Sequence, residues 1–235
     1  MRGLWLRDPG SYEGYRQRSP PGVQEAAIAL LGRHLTSRSS VLDLGSGGAM
    51  LARLSEIGFR DRHAVARDPS LVGDTDAAVP KEWSVVSLDL GGDFAAHYSR
   101  RFDVIVSSEL IEHLESPSAF LRQAHALLED DGFLMVTTPN VANWAGRVRF
   151  LVSGELRWFD DRMRARARHI TPIAGAQMRG MLDEAGFKRI ATAAAGSFSG
   201  PLRTLLTAPL SAPFLAFLGR RGWGDCSIYL ARKCV

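Results

Sequence analysis

A short turn in the first quarter of the chain combines residue types that bind nucleotide-like ligands. Asp43 stands near the end of an apolar run, and Gly45, Ser46 and Gly47 follow it. Glycines placed after a buried strand let backbone N–H groups approach a ligand closely. Asp43 adds a carboxylate whose burial is costly unless N–H groups or a cationic ligand compensate its charge. The turn therefore predicts a site for a nucleotide-like ligand that carries a positive charge.

Glycine-rich turns serve several ligand classes, and the neighbouring residues discriminate among them. A dinucleotide fingerprint that starts at Gly45 needs a third glycine at position 50, where this chain has Met50. A phosphate-binding loop needs a Gly-Lys-Ser/Thr sequence, and none follows the turn. The sequence therefore disfavours both of these classes.

A second stretch, from Glu109 to His113, holds carboxylates and an imidazole at helical spacing. On a helix, Glu109 would lie three residues before Glu112 and four before His113, so the three side chains would share one face. Side chains of these types on one face could converge on a single divalent ion.

Short apolar runs that alternate with helical patterns must position both stretches. We predict helices over 23–35, 49–57 and 117–128, and a further helix that begins at Thr171-Pro172 and ends near 186. We predict strands over 40–44, 63–67, 83–88, 102–106, 133–137, 188–193 and 227–231. This alternation is typical of a doubly wound α/β fold with a mostly parallel sheet, helices on both faces and the ligand at the carboxyl ends of the strands.

The composition is that of a globular protein. Of the 235 residues, 46% are hydrophobic and 23% are charged, and no apolar run approaches the roughly 20 residues that a membrane helix needs. The N-terminal segment lacks the apolar core of a secretory signal, so we expect a cytoplasmic protein. The two cysteines, Cys226 and Cys234, are too few for a disulfide framework or a CxxC metal site. The net charge of +4 is a small excess, but seven arginines crowd residues 147–168.

The first motif, Val41-Leu42-Asp43-Leu44-Gly45-Ser46-Gly47-Gly48-Ala49, resembles that of the class I S-adenosylmethionine-dependent methyltransferases. The family's third glycine is Ala49 here, which a helix start tolerates. The resemblance implies a Rossmann-like, mostly parallel seven-stranded sheet with an antiparallel last strand. It also implies that the chain binds S-adenosyl-L-methionine and releases S-adenosyl-L-homocysteine.

The same resemblance assigns cofactor contacts to the later strand ends. Asp68, which closes the second strand, would accept hydrogen bonds from the ribose hydroxyls. Asp89 would reach the adenine amine after the third strand, and Leu90 would pack on the ring. Ser107, at the end of the fourth strand, would face the methionine part of the cofactor. We therefore expect the following cofactor-binding residues: Asp43, Gly45, Ser46, Gly47, Asp68, Asp89, Leu90 and Ser107.

The Glu-x-x-Glu-His stretch resembles the subgroup that contains the ubiquinone-pathway O-methyltransferases, or methyltransferase type 11 proteins, and the small-RNA terminal 2′-O-methyltransferases. In some of these proteins the motif binds a divalent cation, and the RNA enzymes add a histidine downstream. Glu109, Glu112, His113 and His169 match by type and order. In other members the histidine is a general base or lines the pocket, so His113 is the candidate catalytic residue and a metal stays an alternative.

The acceptor must enter over the strand ends, so flanking segments are predicted to select it. Residues 1–39 are predicted to form an N-terminal lid and first helix, ahead of a methyltransferase domain over 40–235 with insertions at 141–170 and 199–223. The first insertion interleaves arginines with aromatic residues, which suits either an acceptor pocket, an RNA contact or a solvated amphipathic helix. The apolar stretch 201–223 could pack in the core, hold a lipid-like acceptor, touch a membrane surface or form a dimer contact.

The sequence thus predicts a methyltransferase that O-methylates a small hydroxylated molecule, such as a quinone precursor, sugar or secondary metabolite. N-methylation is the nearest alternative. RNA 2′-O-methylation with a divalent metal has less support, because the charge excess is small and the chain shows no separate RNA-binding domain. A non-catalytic cofactor-binding protein is the remaining alternative.

Overall fold

The computed structural model describes residues 11–12, 15–16, 19–35, 40–66, 81–196 and 222–234. Its helices are α1 (Val23–Gly32), α2 (Ala49–Glu56), α3 (Pro117–Leu127), α4 (Trp144–Ser153), α5 (Asp161–Ala167) and α6 (Gly175–Glu184). Its strands are β1 (Ser11–Tyr12), β2 (Tyr15–Arg16), β3 (Ser40–Leu44), β4 (Asp61–Ala66), β5 (Trp83–Ser87), β6 (Phe102–Ser108), β7 (Leu128–Pro139), β8 (Phe187–Ala195) and β9 (Cys226–Lys233).

Seven strands form one sheet in the order β5-β4-β3-β6-β7-β9-β8. All neighbouring pairs are parallel except those of β9, which runs antiparallel to both β7 and β8. The prediction of a doubly wound, mostly parallel seven-stranded sheet with an antiparallel last strand is confirmed. The carboxyl ends of β3 to β7 and the amino end of β9 consequently meet at one edge of the sheet.

Each face of the sheet packs against helices. Leu42 and Leu44 belong to the core on the face that α3 and α6 cover. Val41 belongs to the core on the opposite face, with residues of α1 and α2. Because side chains alternate along a strand, Asp43 projects on the same side as Val41. All five residues of β3 are buried, which explains why this strand reads as a nearly continuous apolar run.

The helical expectations at Thr171 and at Glu109 are wrong, and the first helix ends at Gly32 instead of at residue 35. The helix expected at Thr171-Pro172 begins at Gly175, because the Thr171 hydroxyl donates to the carbonyl oxygen of Leu114 instead of capping a helix. Glu109 does not lie on a helix either. It has a left-handed φ of 50°, and only a short 3₁₀ turn, Ile111–His113, follows it.

Some predicted features lie outside the described residues. These are Asp68 and the part of the apolar stretch that runs from 201 to 221. Tyr12 and Tyr15 pair with each other in the two-stranded sheet of β1 and β2. Within the described ranges, every helix is too short or too polar to cross a bilayer.

Candidate active site

The glycine turn after β3 takes a conformation that requires glycine at two positions. Gly45 has a φ of 84° and Gly48 a φ of 89°, and side chains other than glycine rarely adopt such values. A Cβ at Gly45 would lie 3.1 Å from the Leu110 side chain. Ala49 is instead the first residue of α2 and is buried in the core, so alanine meets the local requirement where the motif usually has its third glycine.

Asp43 lies at the bottom of a small pocket behind this turn. Asp43 is 1% exposed. The pocket walls come from the turn, the end of β6 and the start of α1, and the lining residues are Ser19, Gln24, Asp43, Gly45, Ser46, Gly47, Met50 and Ser108. Ser108 rather than the predicted Ser107 faces this pocket, because neighbouring residues of β6 project to opposite sides of the sheet. Ser107 is buried and is not among the residues that line this pocket.

A larger cleft of about 1210 Å³ opens at the same edge of the sheet. Gly45 borders both the small pocket and this cleft. Asp89 and Leu90 line the cleft, and the Asp89 carboxylate accepts a hydrogen bond of 2.9 Å from the Gly91 N–H. Across the cleft stand Glu109, Leu110, His113, Leu114, Trp158, Met163, Arg166, Ala167, Arg168, His169, Ile170, Asp225 and Cys226.

Glu109 is held at the rim of this cleft by strand-end contacts. The Thr137 hydroxyl donates to one carboxylate oxygen at 2.9 Å, and the Cys226 thiol donates to the other at 3.3 Å. Burial, together with the nearby charge of Asp225, raises the pKa of Glu109 to about 6. The strained φ and the raised pKa both show that tertiary packing, not local preference, places this side chain.

Glu112 is fully buried below the 3₁₀ turn. The Thr138 hydroxyl donates to its Oε2 at 3.1 Å, and within the described residues its Oε1 has no hydrogen-bond partner. Burial, and then the charge of Glu109, raises the pKa of Glu112 well above its usual value. A buried carboxylate oxygen without a donor is costly, so the position suits a proton, a cation or an imidazolium nearby.

His113 and His169 come together although they are far apart in sequence. The N–H groups of Ile170 and Thr171 both donate to the backbone carbonyl of Glu112 at 3.0 Å, which fixes the second segment against the first. The two imidazole rings then meet edge to face, with centroids 4.9 Å apart. Burial, followed by the effect of His113, lowers the pKa of His169.

Each of these histidines has its tautomer set by a backbone carbonyl. His113 Nδ1 lies 3.1 Å from the oxygen of Arg168, and His169 Nδ1 lies 2.9 Å from the oxygen of Trp158. A carbonyl oxygen can only accept, so in the neutral rings the proton sits on Nδ1 and the lone pair on Nε2. His113 Nε2 lies 3.9 Å from Glu112 Oε1.

Three of the four predicted metal ligands meet. Glu112, His113 and His169 each offer one ligand atom, and these atoms lie within 4.8 Å of one another. Glu109 is not part of this group. It lies between the end of β6 and the 3₁₀ turn, and its carboxylate accepts hydrogen bonds from Thr137 and Cys226. The expectation that Glu109, Glu112 and His113 converge from one helix is therefore wrong, and His169 takes the third place.

The amino end of β9 adds two cleft residues that the sequence reading missed. Asp225 is 4% exposed and pairs with Arg157 at 3.0 Å. Cys226 is buried against Glu109. Burial, opposed by the Arg157 charge, raises the pKa of Asp225. The antiparallel direction of the last strand was the available signal, because it brings that strand's first residues to the ligand-binding edge.

A profile of the family described as "Methyltransferase domain" matches residues 12–192. The chain belongs to this methyltransferase family. The expected resemblance to the class I S-adenosylmethionine-dependent methyltransferases is confirmed.

The relatives of this methyltransferase include curated enzymes and solved structures. It is 28% identical over 160 residues to the ubiquinone biosynthesis O-methyltransferase of Bradyrhizobium diazoefficiens strain USDA 110, a match that covers 64% of this chain and 62% of that protein. Its fold is similar to that of a Haloferax volcanii methyltransferase solved with the Trm112 activator, with a TM-score of 0.62, 14% identity and coverage of 90% and 88% of the two chains.

A Mesorhizobium loti S-adenosylmethionine-dependent methyltransferase is a further structural neighbour. The TM-score is 0.56 and the identity 15%, with coverage of 90% of this chain and 100% of that one. The match to the Bradyrhizobium enzyme spans less than two thirds of that relative's length.

The described residues fit the methyl donor of the family. Because Gly45 has no side chain, a ligand can approach its backbone beside Leu110, where a Cβ would be tightly packed. The small pocket offers the Asp43 carboxylate for the positively charged amino acid end, and the exposed Asp89 with the buried Leu90 lines the cleft beyond it. The individual contacts stay predictions, and that of Asp68 falls outside the described residues.

The raised pKa of Glu109 predicts a pH-dependent stability. The pKa of this carboxyl is about 6 in the folded protein and 4.5 ordinarily, so folding carries no charge penalty below pH 4.5 and leaves a partly buried charge above pH 6. The difference corresponds to about 2 kcal/mol. We expect Glu109→Gln to raise the melting temperature by roughly 5 °C at pH 8 and to change it little near pH 4.5.

Differential scanning calorimetry across this pH range measures the effect. Glu115→Gln is the matched control, because Glu115 is exposed two residues after His113 and should leave the curve unchanged. A Glu109→Gln enzyme whose melting temperature follows the wild-type curve at every pH would contradict the assignment of a buried, charged Glu109.

Proposed function

We propose that this methyltransferase O-methylates a small hydroxylated acceptor bound in the cleft. The observation that carries the proposal is that one cleft joins the glycine turn and Asp89 to Glu109, His113 and His169. An acceptor bound between these two ends would have the His113 imidazole within reach of its hydroxyl, and the glycine turn would hold the methyl donor at the other end. The arrangement supplies the proximity and the proton acceptor that a methyl transfer to oxygen requires.

In this mechanism the side chains of the enzyme orient the acceptor and take its proton. S-adenosylmethionine held at the glycine turn and Asp43 would supply an electrophilic methyl group, with its sulfur as the leaving group and S-adenosylhomocysteine as the product. As the acceptor oxygen forms its bond to the methyl carbon, its proton passes to Nε2 of His113. The Nδ1–H bond to Arg168 keeps Nε2 as the basic atom, and the adjacent Glu112 carboxyl stabilises the imidazolium that results.

A divalent cation is a second candidate for the same position, favoured by the unpartnered buried Oε1 of Glu112. That oxygen, His113 and His169 form a set with two nitrogens and one oxygen, and both rings are held by backbone carbonyls as metal-binding imidazoles usually are. Such a donor set suits Mn²⁺ or Zn²⁺ better than Mg²⁺. A bound cation would lower the pKa of an acceptor hydroxyl coordinated to it.

The nature of the acceptor is supported by the relatives and by the cleft walls. Relatives such as the Bradyrhizobium enzyme are named ubiquinone biosynthesis O-methyltransferases, which favours a quinone precursor over a sugar or another secondary metabolite. An RNA acceptor has less support, because most aromatic residues of 141–170 are at least partly covered: Trp144 is buried, and Trp158 and Phe159 are half-buried. N-methylation and cofactor binding without transfer are the outcomes against which the proposal is tested.

A methyl-transfer assay with isotopically labelled donor tests the proposal. Catechol-type quinone precursors, sugars, amines and a short RNA are offered in parallel, each with and without EDTA. Transfer to the hydroxylated small molecule is the expected result. Transfer only to amines or only to RNA would contradict it, and binding of donor without any transfer would indicate a non-catalytic protein.

The EDTA arm separates the two roles of the histidines. If His113 is the proton acceptor, EDTA changes the rate by no more than about twofold. If a cation is required, EDTA removes it and the rate falls by roughly 10²-fold or more. Mn²⁺ binding followed by electron paramagnetic resonance gives a readout independent of turnover. With a metal site, Glu112→Gln loses Mn²⁺ binding, while Glu115→Gln keeps it.

A further inference from the structure

The carboxyl-terminal turn of α4 exposes three consecutive apolar side chains. Phe150 is 53% exposed, Leu151 86% and Val152 81%. The other large hydrophobic residues recorded as exposed among the described residues, Val86 and Ile170, are each only 36% exposed. Exposed apolar side chains clustered in this way are typical of a surface that binds an apolar partner.

The same segment carries the basic excess of the chain. From 144 to 170 it has seven arginines and three acidic residues, a difference that equals the net charge of +4 of the whole protein. Arg147 is exposed one helical turn before Leu151, so the two side chains share a face of α4. Further exposed arginines follow on and after α5: Arg162, Arg164, Arg166 and Arg168.

The apolar turn and the arginines belong to one packed unit. Arg149 bonds to Glu155 at 2.6 Å and to Asp160 at 2.8 Å, which ties the end of α4 to the start of α5. These ion pairs use Glu155 and Asp160, so Asp161 is the one acidic residue of the segment left beside the exposed arginines of α5. The unit therefore presents apolar side chains beside a net positive charge.

We propose that this surface, the α4–α5 unit, docks the enzyme on an anionic phospholipid membrane. Aliphatic side chains enter the boundary between headgroups and acyl chains, while arginines bind lipid phosphates. A membrane fits better than RNA, because Phe150 is the one exposed aromatic residue among residues 141–170, while the two most exposed apolar side chains, Leu151 and Val152, are aliphatic and cannot stack on bases. It fits better than a protein partner, because three side chains offer far less area than a standard interface of about 800 Å² per partner.

Docking here would place the membrane beside the cleft. Met163, Arg166 and Ala167 of α5 line the cleft, while Leu151 and Val152 at the end of α4 point to solvent. The surface differs from the apolar stretch 201–223, for which membrane contact was one of four alternatives. Binding to vesicles requires neither methyl donor nor turnover, so its failure would leave the proposed reaction untouched.

Co-sedimentation of the full chain with vesicles tests this surface. Vesicles of phosphatidylcholine alone are compared with vesicles that also contain phosphatidylglycerol. We expect the wild type to bind the anionic vesicles at least about tenfold more tightly, and added salt to weaken that binding. The double variant Leu151→Asp/Val152→Asp should bind anionic vesicles at least about tenfold more weakly than the wild type. Arg162→Gln/Arg164→Gln should weaken binding by a similar factor.

Two matched variants control for general effects of charge and polarity. Val86→Asp introduces an acid at an exposed apolar position on β5, and Arg60→Gln/Arg122→Gln removes two exposed arginines elsewhere. Both should bind anionic vesicles as the wild type does.

Four results would overturn the proposal. Equal vesicle binding by the wild type and Leu151→Asp/Val152→Asp would remove the aliphatic groups from the contact. Loss of a dimer in that variant, seen by sedimentation velocity without lipid, would assign the surface to a second copy. A melting temperature lowered by several degrees would show that these residues pack on another part of the chain. Salt-sensitive binding of RNA but not of vesicles would assign the arginines to RNA.

Discussion

His113→Ala should lower kcat by roughly 10²- to 10³-fold and leave the affinity for S-adenosylhomocysteine within about twofold. The imidazole lines the cleft, its Nδ1–H is held by the Arg168 carbonyl, and it lies above the buried Glu112. Without it the acceptor hydroxyl must lose its proton to water while the methyl group transfers. The cofactor contacts at the glycine turn come from other residues and are not changed. Steady-state kinetics and isothermal titration calorimetry measure the two quantities separately.

His97→Ala is the matched control for this experiment. His97 also has Nδ1 near a backbone carbonyl, that of Asp93 at 3.3 Å, but it is exposed on a 3₁₀ turn and is not part of the cleft. Its removal should leave kcat unchanged. A His113→Ala enzyme with wild-type kcat on the preferred acceptor would exclude His113 from the chemistry.

Asp43→Asn should weaken S-adenosylhomocysteine binding by about 10- to 100-fold, the range expected when a hydrogen bond to a charged group is lost. Asparagine keeps the shape of aspartate, so the buried end of β3 should pack as before. The substitution removes the negative charge that faces the small pocket beside Gly45 and Ser46. Calorimetric titration with S-adenosylhomocysteine measures the loss directly.

Asp103→Asn separates this effect from a general effect of changing a strand aspartate. Asp103 lies on the neighbouring strand β6, but near its amino end, where its carboxylate accepts from the Ser40 N–H and hydroxyl. We expect it to alter stability without altering the dissociation constant. If the dissociation constant of Asp43→Asn for S-adenosylhomocysteine stayed within about threefold of the wild-type value, the small pocket would not bind the positively charged amino acid end of the cofactor.

Much of the framework could be predicted because it depends on local patterns. Buried parallel strands require continuous apolar runs, and the turn after β3 requires glycines where φ is positive, at Gly45 and Gly48. Ser116, followed by Pro117, caps α3 as expected, because its hydroxyl accepts from the Ala119 N–H. These features follow from the chemistry of neighbouring residues, so sequence alone contains them.

The arrangement of the reacting end could not be predicted in the same way. Spacing placed Glu109 beside Glu112 and His113 on a helix, whereas Glu109 has a left-handed φ and is bonded to Thr137 and Cys226. Those contacts come from β7 and β9, which are distant in sequence. Local spacing carries no information about a strand that arrives from the other end of the chain.

For this protein the sequence by itself determined the methyltransferase family, the seven strands of the main sheet with four of the helices, and the glycine turn after β3. Only the tertiary structure decided that Glu112 rather than Glu109 meets His113 and His169, and that Asp225 and Cys226 reach the cleft. It also decided that Leu151 and Val152 stay exposed to solvent. The physical reason is that a turn is set by backbone sterics within a few residues, whereas a side chain's charge state and partners are set by whatever the folded chain brings next to it.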